Sequence, residues 1–219
     1  MTSASGDPIR SWFPQDAEHT QNQLAKHALA EHLRALIGDV LRLDSGAASA
    51  DDLAQADELL AAARKHVGAL PRVRSLFASE QDFSLFERSP FSGRGNALAT
   101  PLQVEFVGDE LRAHTTYGDA YEGPPGTVHG GHVMAAFDDL LGVAQAASGQ
   151  AGFTGTLSVR MVARTPLHQR IDYEAGVESV SGRKVTAWGR STCDGELLAE
   201  ATGIFVVPRG GLHEMLVQD

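Results

Sequence analysis

The sequence predicts an α+β domain, an antiparallel sheet burying one long helix, with a pair of helices ahead of it. Three observations carry this. After residue 100 the apolar residues recur with period two, the mark of half-buried strands. That pattern is interrupted once, by a helical period over residues 131–148 with Met134, Phe137, Leu141 and Ala144 as apolar positions. From Asp16 to Gly68 the period is helical, broken once at residues 44–48. Two strands, one helix and four strands is an order that segregates the helix onto one sheet.

The elements follow in order. Residues 1–15 are polar, contain Pro8 and Pro14, and read as a loose arm. From Asp16 an apolar stripe runs through Leu24, Ala28, Leu29, Leu33, Leu36, Ile37, Val40 and Leu41. Residues 44–48 break it, Ser49 caps a second helix with Asp52 three positions on, and Leu53, Ala56, Leu59, Leu60, Ala63 and Val67 form its stripe. Gly68 and Pro71 end it. This helical hairpin must pack on something, the main domain or a partner subunit. Its His27, His32 and His66 lack metal-ligand spacing and read as surface residues. Residues 72–100 are a connector in which Phe77, Phe83, Phe86 and Phe91 either anchor the chain to a core or line a substrate. Arm, hairpin and connector occupy 1–90, and the α+β domain 91–219. Within the domain, Leu102–Phe106 and Leu111–Tyr117 flank Gly108-Asp109 as a hairpin. Later strands near 154–164, 169–181, 183–193 and 196–207 are separated by Pro166, Ser181-Gly182 and Asp194-Gly195.

Composition narrows the partners. The net charge is −10 and the pI about 5.3, a field that disfavours nucleic acid and anionic membrane surfaces while allowing a local cationic patch for an anionic ligand. Cys193 is the one cysteine, so an internal disulfide is impossible, which fits a cytoplasmic protein. It precedes the Asp194-Gly195 turn and reads as a half-exposed strand-end thiol. The first residues have neither the apolar run of a signal peptide nor the basic character of a transit peptide, and no window approaches a membrane span.

The chemistry concentrates between Gly123 and Gly142: a rigid Pro/Gly turn, His129, two glycines, then a helix carrying Asp138 and Asp139. The first N–H groups of a helix lack intrahelical partners and can polarise an oxygen. A carboxylate further along can act as base or nucleophile. Together they suggest acyl transfer. Asp138 lies four residues after Met134 and three before Leu141, on or beside the apolar face, whereas Asp139 is turned about 100° away. The bland alternative makes both solvated surface carboxylates, more readily for Asp139. His129 and His132 could cap or pack, and without a third ligand they are a poor metal signal.

These residues resemble the hotdog-fold acyl-CoA thioesterases of the PaaI-like superfamily. Gly-Pro-Pro-Gly-x-Val-His-Gly-Gly, with Asp138 nine positions after His129, is closest to members acting on fatty acyl-CoAs. Thr156 with Pro166 ten positions on, Gly182-Arg183-Lys184, and Ala199-Glu200-Ala201-Thr202-Gly203 with Phe205-Val206 extend the resemblance from about Leu102 to Pro208. It implies a sheet wrapped around the central helix and two subunits pairing sheets edge to edge, as a homodimer or dimer of dimers with shared sites. It also implies that the N–H of Gly130 or Gly131 holds the thioester oxygen, that Asp138 is nucleophile or general base, and that Thr156 orients water or the carboxylate. His129 would shape the turn. Val162, Arg164, Arg183 and Lys184 would lie along the coenzyme A track, where Arg and Lys suit phosphates, unless Arg183 and Lys184 merely solubilise a hairpin. No cofactor and no metal are implied.

The sequence departs from the family at three places. Gly123 stands where some relatives use Asn or Gln, Gly142 where another branch has Thr, and Ala163 where an aromatic is common. The competing functions are a non-catalytic acyl-CoA-binding hotdog module and a hydratase. The latter needs a His–Asp or His–Glu pair on a differently built helix entrance.

Overall fold

The computed structural model describes residues 20–72, 87–100 and 102–209; Phe77, Phe83 and Phe86 fall outside these. Helices α1 (Gln21–Leu41) and α2 (Ala50–Gly68) come first. Thr20 and Gln23 close a reciprocal capping box on α1, and the Ser49 side chain accepts from the Asp52 N–H on α2. Strands β1 (Gln103–Val107) and β2 (Glu110–Thr116) precede α3 (Gly130–Ala147). Strands β3 (Phe153–Met161), β4 (Arg170–Ser181), β5 (Lys184–Cys193) and β6 (Glu196–Val206) follow. The strands form one antiparallel sheet in the order β1-β2-β4-β5-β6-β3, wrapped on α3 in the hotdog arrangement.

The sheet closes on the helix because two positions facing it carry no side chain. A Cβ on Gly189 would come within 3.1 Å of Phe137, and one on Gly203 within 3.1 Å of Leu141. Phe137, Leu140, Leu141 and Val133 of α3 are thus buried against Leu111, Ile171, Tyr173, Val185 and Phe205. Burying each such side chain is worth about 1.5–3 kcal/mol. The Tyr117 and Tyr173 hydroxyls satisfy each other at 2.6 Å inside the core. Burial pushes the Tyr117 phenol up to about 12.

The turns obey local chemistry. Asp194 and Gly195 both take positive φ (49° and 84°), as a tight hairpin requires. The adjoining Cys193 is covered by its neighbours rather than half-exposed, though it lies close to the surface, and its thiol donates to Gln169 Oε1 at 3.3 Å. Desolvation, then the carboxylates of Asp194, Asp172 and Glu196, push the thiol pKa up, which disfavours a nucleophilic thiolate.

Helix α1 docks through polar contacts. His27 is buried, not on the surface as its spacing suggested, because residue 87 reaches back to it: His27 Nε2 lies 2.5 Å from Glu87 Oε2. Arg34 donates to the carbonyls of Arg94 and Asn96, and Arg42 pairs with Asp119, which also bonds His168 at 2.7 Å. Within α1 only His27 and Ala30 are buried; within α2 nothing is. Among the described residues, no helix is long and apolar enough to cross a membrane.

Candidate active site

The turn before α3 is held by its own backbone and one carboxylate. His129 N–H donates to the Tyr121 carbonyl at 2.8 Å, Gly123 N–H to Thr127 at 2.9 Å, and Gly126 N–H to Glu122 Oε1 at 2.7 Å. Gly123 lies so close to His129 that a Cβ there would meet its Cα at 2.7 Å. An Asn or Gln at this position would force the backbone apart, so no polar side chain reaches the site from position 123.

His129 is the N-cap of α3, and its Nδ1 accepts the Gly131 N–H at 3.0 Å. The proton of the neutral ring is therefore on Nε2. The His132 and Val133 N–H groups turn back to the His129 carbonyl. That leaves the Gly130 N–H as the donor of the first turn without a partner among the described hydrogen bonds, aimed along the positive end of the helix. His132 packs edge-on against Tyr121, with ring centroids 5.0 Å apart. Desolvation, then the nearby His129, holds its pKa below the ordinary value. Among the described residues, no three His, Cys, Asp or Glu side chains converge as a metal site would require.

Two turns in, the carboxylates part company. Asp138 is half-buried on an open flank of α3 shared with Gly130, Met134 and Gly142, four residues apart along the helix. The Thr154 hydroxyl donates to its Oδ1 at 2.9 Å. Asp139 is not the solvated neighbour its register suggested. It keeps some residue surface, but its Oδ2 is fully covered, and Ser89 of the connector donates to Oδ1 at 3.1 Å. Desolvation raises its pKa, opposed by the Ser92 and Ser89 hydroxyls and reinforced by the charge of Asp138. Neither Ser92 Oγ nor Asp139 Oδ2 has a regular hydrogen bond, so the Ser92 attraction is poorly directed.

Thr154, rather than Thr156, meets Asp138 because the register of β3 slips at Gly155. Thr154 sits opposite Phe205, which is buried on the helix side, whereas Thr156 sits opposite the exposed Ile204. Directly opposed residues share a face, so Thr156 points to the outer surface. A glycine inside a strand is the signal of such a bulge.

A crystal structure of a thioesterase superfamily protein matches at 32% identity over 83% of this chain and 94% of that one, with a TM-score of 0.72. The chain belongs to the thioesterase superfamily. This match is longer than residues 91–219 alone can supply, so it takes in part of the chain ahead of the sheet domain. Shorter matches include a putative thioesterase, a phenylacetic acid degradation-related protein, of Ralstonia eutropha JMP134 (23% identity, 49% of this chain and 86% of that one, TM-score 0.46). A Streptococcus mutans UA159 protein bound to acetyl-CoA matches at 17% identity over 48% of this chain and 88% of its own, with a TM-score of 0.46. No family model matches the chain.

In this thioesterase-superfamily chain the four residues assigned to a coenzyme A track do not meet. Val162 and Arg164 follow the end of β3, exposed, with Arg164 in a cleft of about 380 Å³ beside Gln169, Cys193 and Glu196. Arg183 and Lys184 are exposed at the β4–β5 turn, where Arg183 donates to the Val207 carbonyl at 3.0 Å. Val206 pairs with both Phe153 and Lys184, and Ala199 with both Met161 and Ser191. The two cationic groups therefore stand at opposite ends of the sheet, about 24 Å apart along β5.

Proposed function

We propose that this protein hydrolyses acyl-CoA thioesters to the free acid and coenzyme A, at a site completed by a second copy of the chain. One observation carries the reading: the Asp138 carboxylate and the unpartnered Gly130 N–H lie on one open flank of α3 but about 12 Å apart along its axis, so a thioester held by the N–H of one copy meets the carboxylate of the other. The N–H receives the thioester oxygen as negative charge develops on it. Asp138 either takes a proton from the water that attacks the carbonyl carbon, or attacks that carbon itself to give a mixed anhydride, which water then hydrolyses to the free acid and the restored carboxylate. The thiolate of coenzyme A leaves and is protonated. Thr154 holds Oδ1 and leaves Oδ2 for the reaction, while His129 fixes the turn and engages the Gly131 N–H, so Gly130 is the oxyanion donor.

The second copy is supported by the sheet edge. Strand β3 ends the sheet, and every one of its residues except Leu157 and Val159 is exposed. Antiparallel pairing of two β3 edges carries the Arg164 end of one subunit toward the Arg183–Lys184 end of the other. The cations that one chain separates are thus gathered, and Thr156 is brought to the junction.

A thiol-release screen over short-chain, long-chain and aromatic acyl-CoAs tests the proposal. It predicts turnover with at least one class. Binding throughout the panel without release of thiol would make the protein an acyl-CoA-binding module instead.

A further inference from the structure

Helix α2 is fully formed, yet among the described residues nothing covers it. None of its residues is buried, and α1, joined to it through residues 42–49, leaves its apolar stripe open. Leu53, Ala56, Leu60, Ala63 and Val67 alternate spacings of three and four, a seam of period 3.5. Leu53, Leu60 and Val67 keep 36%, 40% and 38% of their surface, and Leu59 beside them keeps 67%. Helices draw most of their stability from a packed face, and among the described residues α2 has none.

The charges say what covers it. The first half of α2 carries Asp51, Asp52, Asp57 and Glu58 and no base; the second half carries Arg64 and Lys65 and no acid. A parallel twin would set like charges side by side, whereas an antiparallel twin sets each acidic half against a basic one. Asp57 and Arg64 each lie four residues after a seam leucine, Leu53 and Leu60, and so flank the seam on the same side. Ala56 and Ala63 between the larger residues let the two backbones approach closely.

We propose that α2 is a self-association surface, taking α2 of a second copy antiparallel about a twofold axis. Asp57 meets the partner's Arg64, and the axis repeats the contact. This contact is distinct from the β3 edge and does not depend on the catalytic reading. If the sheet edges also pair, the two contacts together build a dimer of dimers.

Sedimentation equilibrium of the full chain at low salt tests it. Leu60→Glu is expected to halve the assembly mass, whatever state the sheet edge adopts. Asp57→Arg or Arg64→Asp alone should weaken association roughly tenfold, because the twofold axis doubles each like-charge contact. The double swap Asp57→Arg/Arg64→Asp should restore it. An unchanged mass for Leu60→Glu, or a double swap no better than either single change, would overturn the proposal. The first result would also be seen if another part of the chain or a different protein covers α2.

Discussion

Gly130 holds the hydrogen that the proposed reaction needs, at a backbone position that proline can occupy. It is the first residue of α3, where Pro is favoured, and His129 before it has the extended φ and ψ (−60°, 131°) that a following Pro demands. A Cβ there would meet nothing closer than Met161 at 3.7 Å. Gly130→Pro therefore removes one N–H with little other change, and kcat is expected to fall about 10²–10³-fold with far-UV dichroism preserved. Thr154→Val should lower kcat roughly tenfold by freeing the carboxylate it holds, while Thr156→Val leaves that hydrogen bond intact; steady-state kinetics on both separates them. An equal or larger loss in Thr156→Val would return the positioning role to Thr156. Counting along the sequence could not choose, because period-two alternation fails at a bulge and only Gly155 marks it.

Helix α3 shows where pattern reading succeeds and where it stops. Its span and its buried Phe137 and Leu141 were legible because one sheet imposes one periodic face, but Met134, read as part of that face, is exposed and shares the open flank of the half-buried Asp138. Asp139 was misjudged because its cover comes from Ser89, 50 residues upstream, in a segment with no period to read. The same is true of His27 and Glu87. The buried carboxyl has a consequence for stability. Its folded pKa lies above its unfolded value, so the native state binds the extra proton between the two. Stability is therefore lost as pH rises through that window. Asp139→Asn keeps an acceptor for Ser89 and removes the charge. Its melting temperature is expected to exceed that of the parent at pH 7, with the difference closing as pH falls below the ordinary carboxylate range. A lower melting temperature at pH 7 would show that Asp139 is stabilised as an anion.

Across the whole molecule, the succession of elements along the chain, the single buried helix and the turn positions were legible because local period and turn chemistry agree with the packing, whereas the order of strands in the sheet was not. What the sequence could not display is which groups share one subunit. Arg164 and Arg183 look like one track in a linear list, yet the register of β3, β6 and β5 sets them at opposite ends of the sheet. The helices ahead of the domain were legible as helices, but only the structure shows α1 held by polar contacts and α2 left open among the described residues. The central claim is that thioester cleavage runs through Asp138, and the direct test is thiol release from acyl-CoA by Asp138→Asn beside the parent. The account predicts loss of about 10²–10⁴-fold in kcat, with the assembly mass and melting transition of the parent retained. Full activity in that folded variant would contradict it.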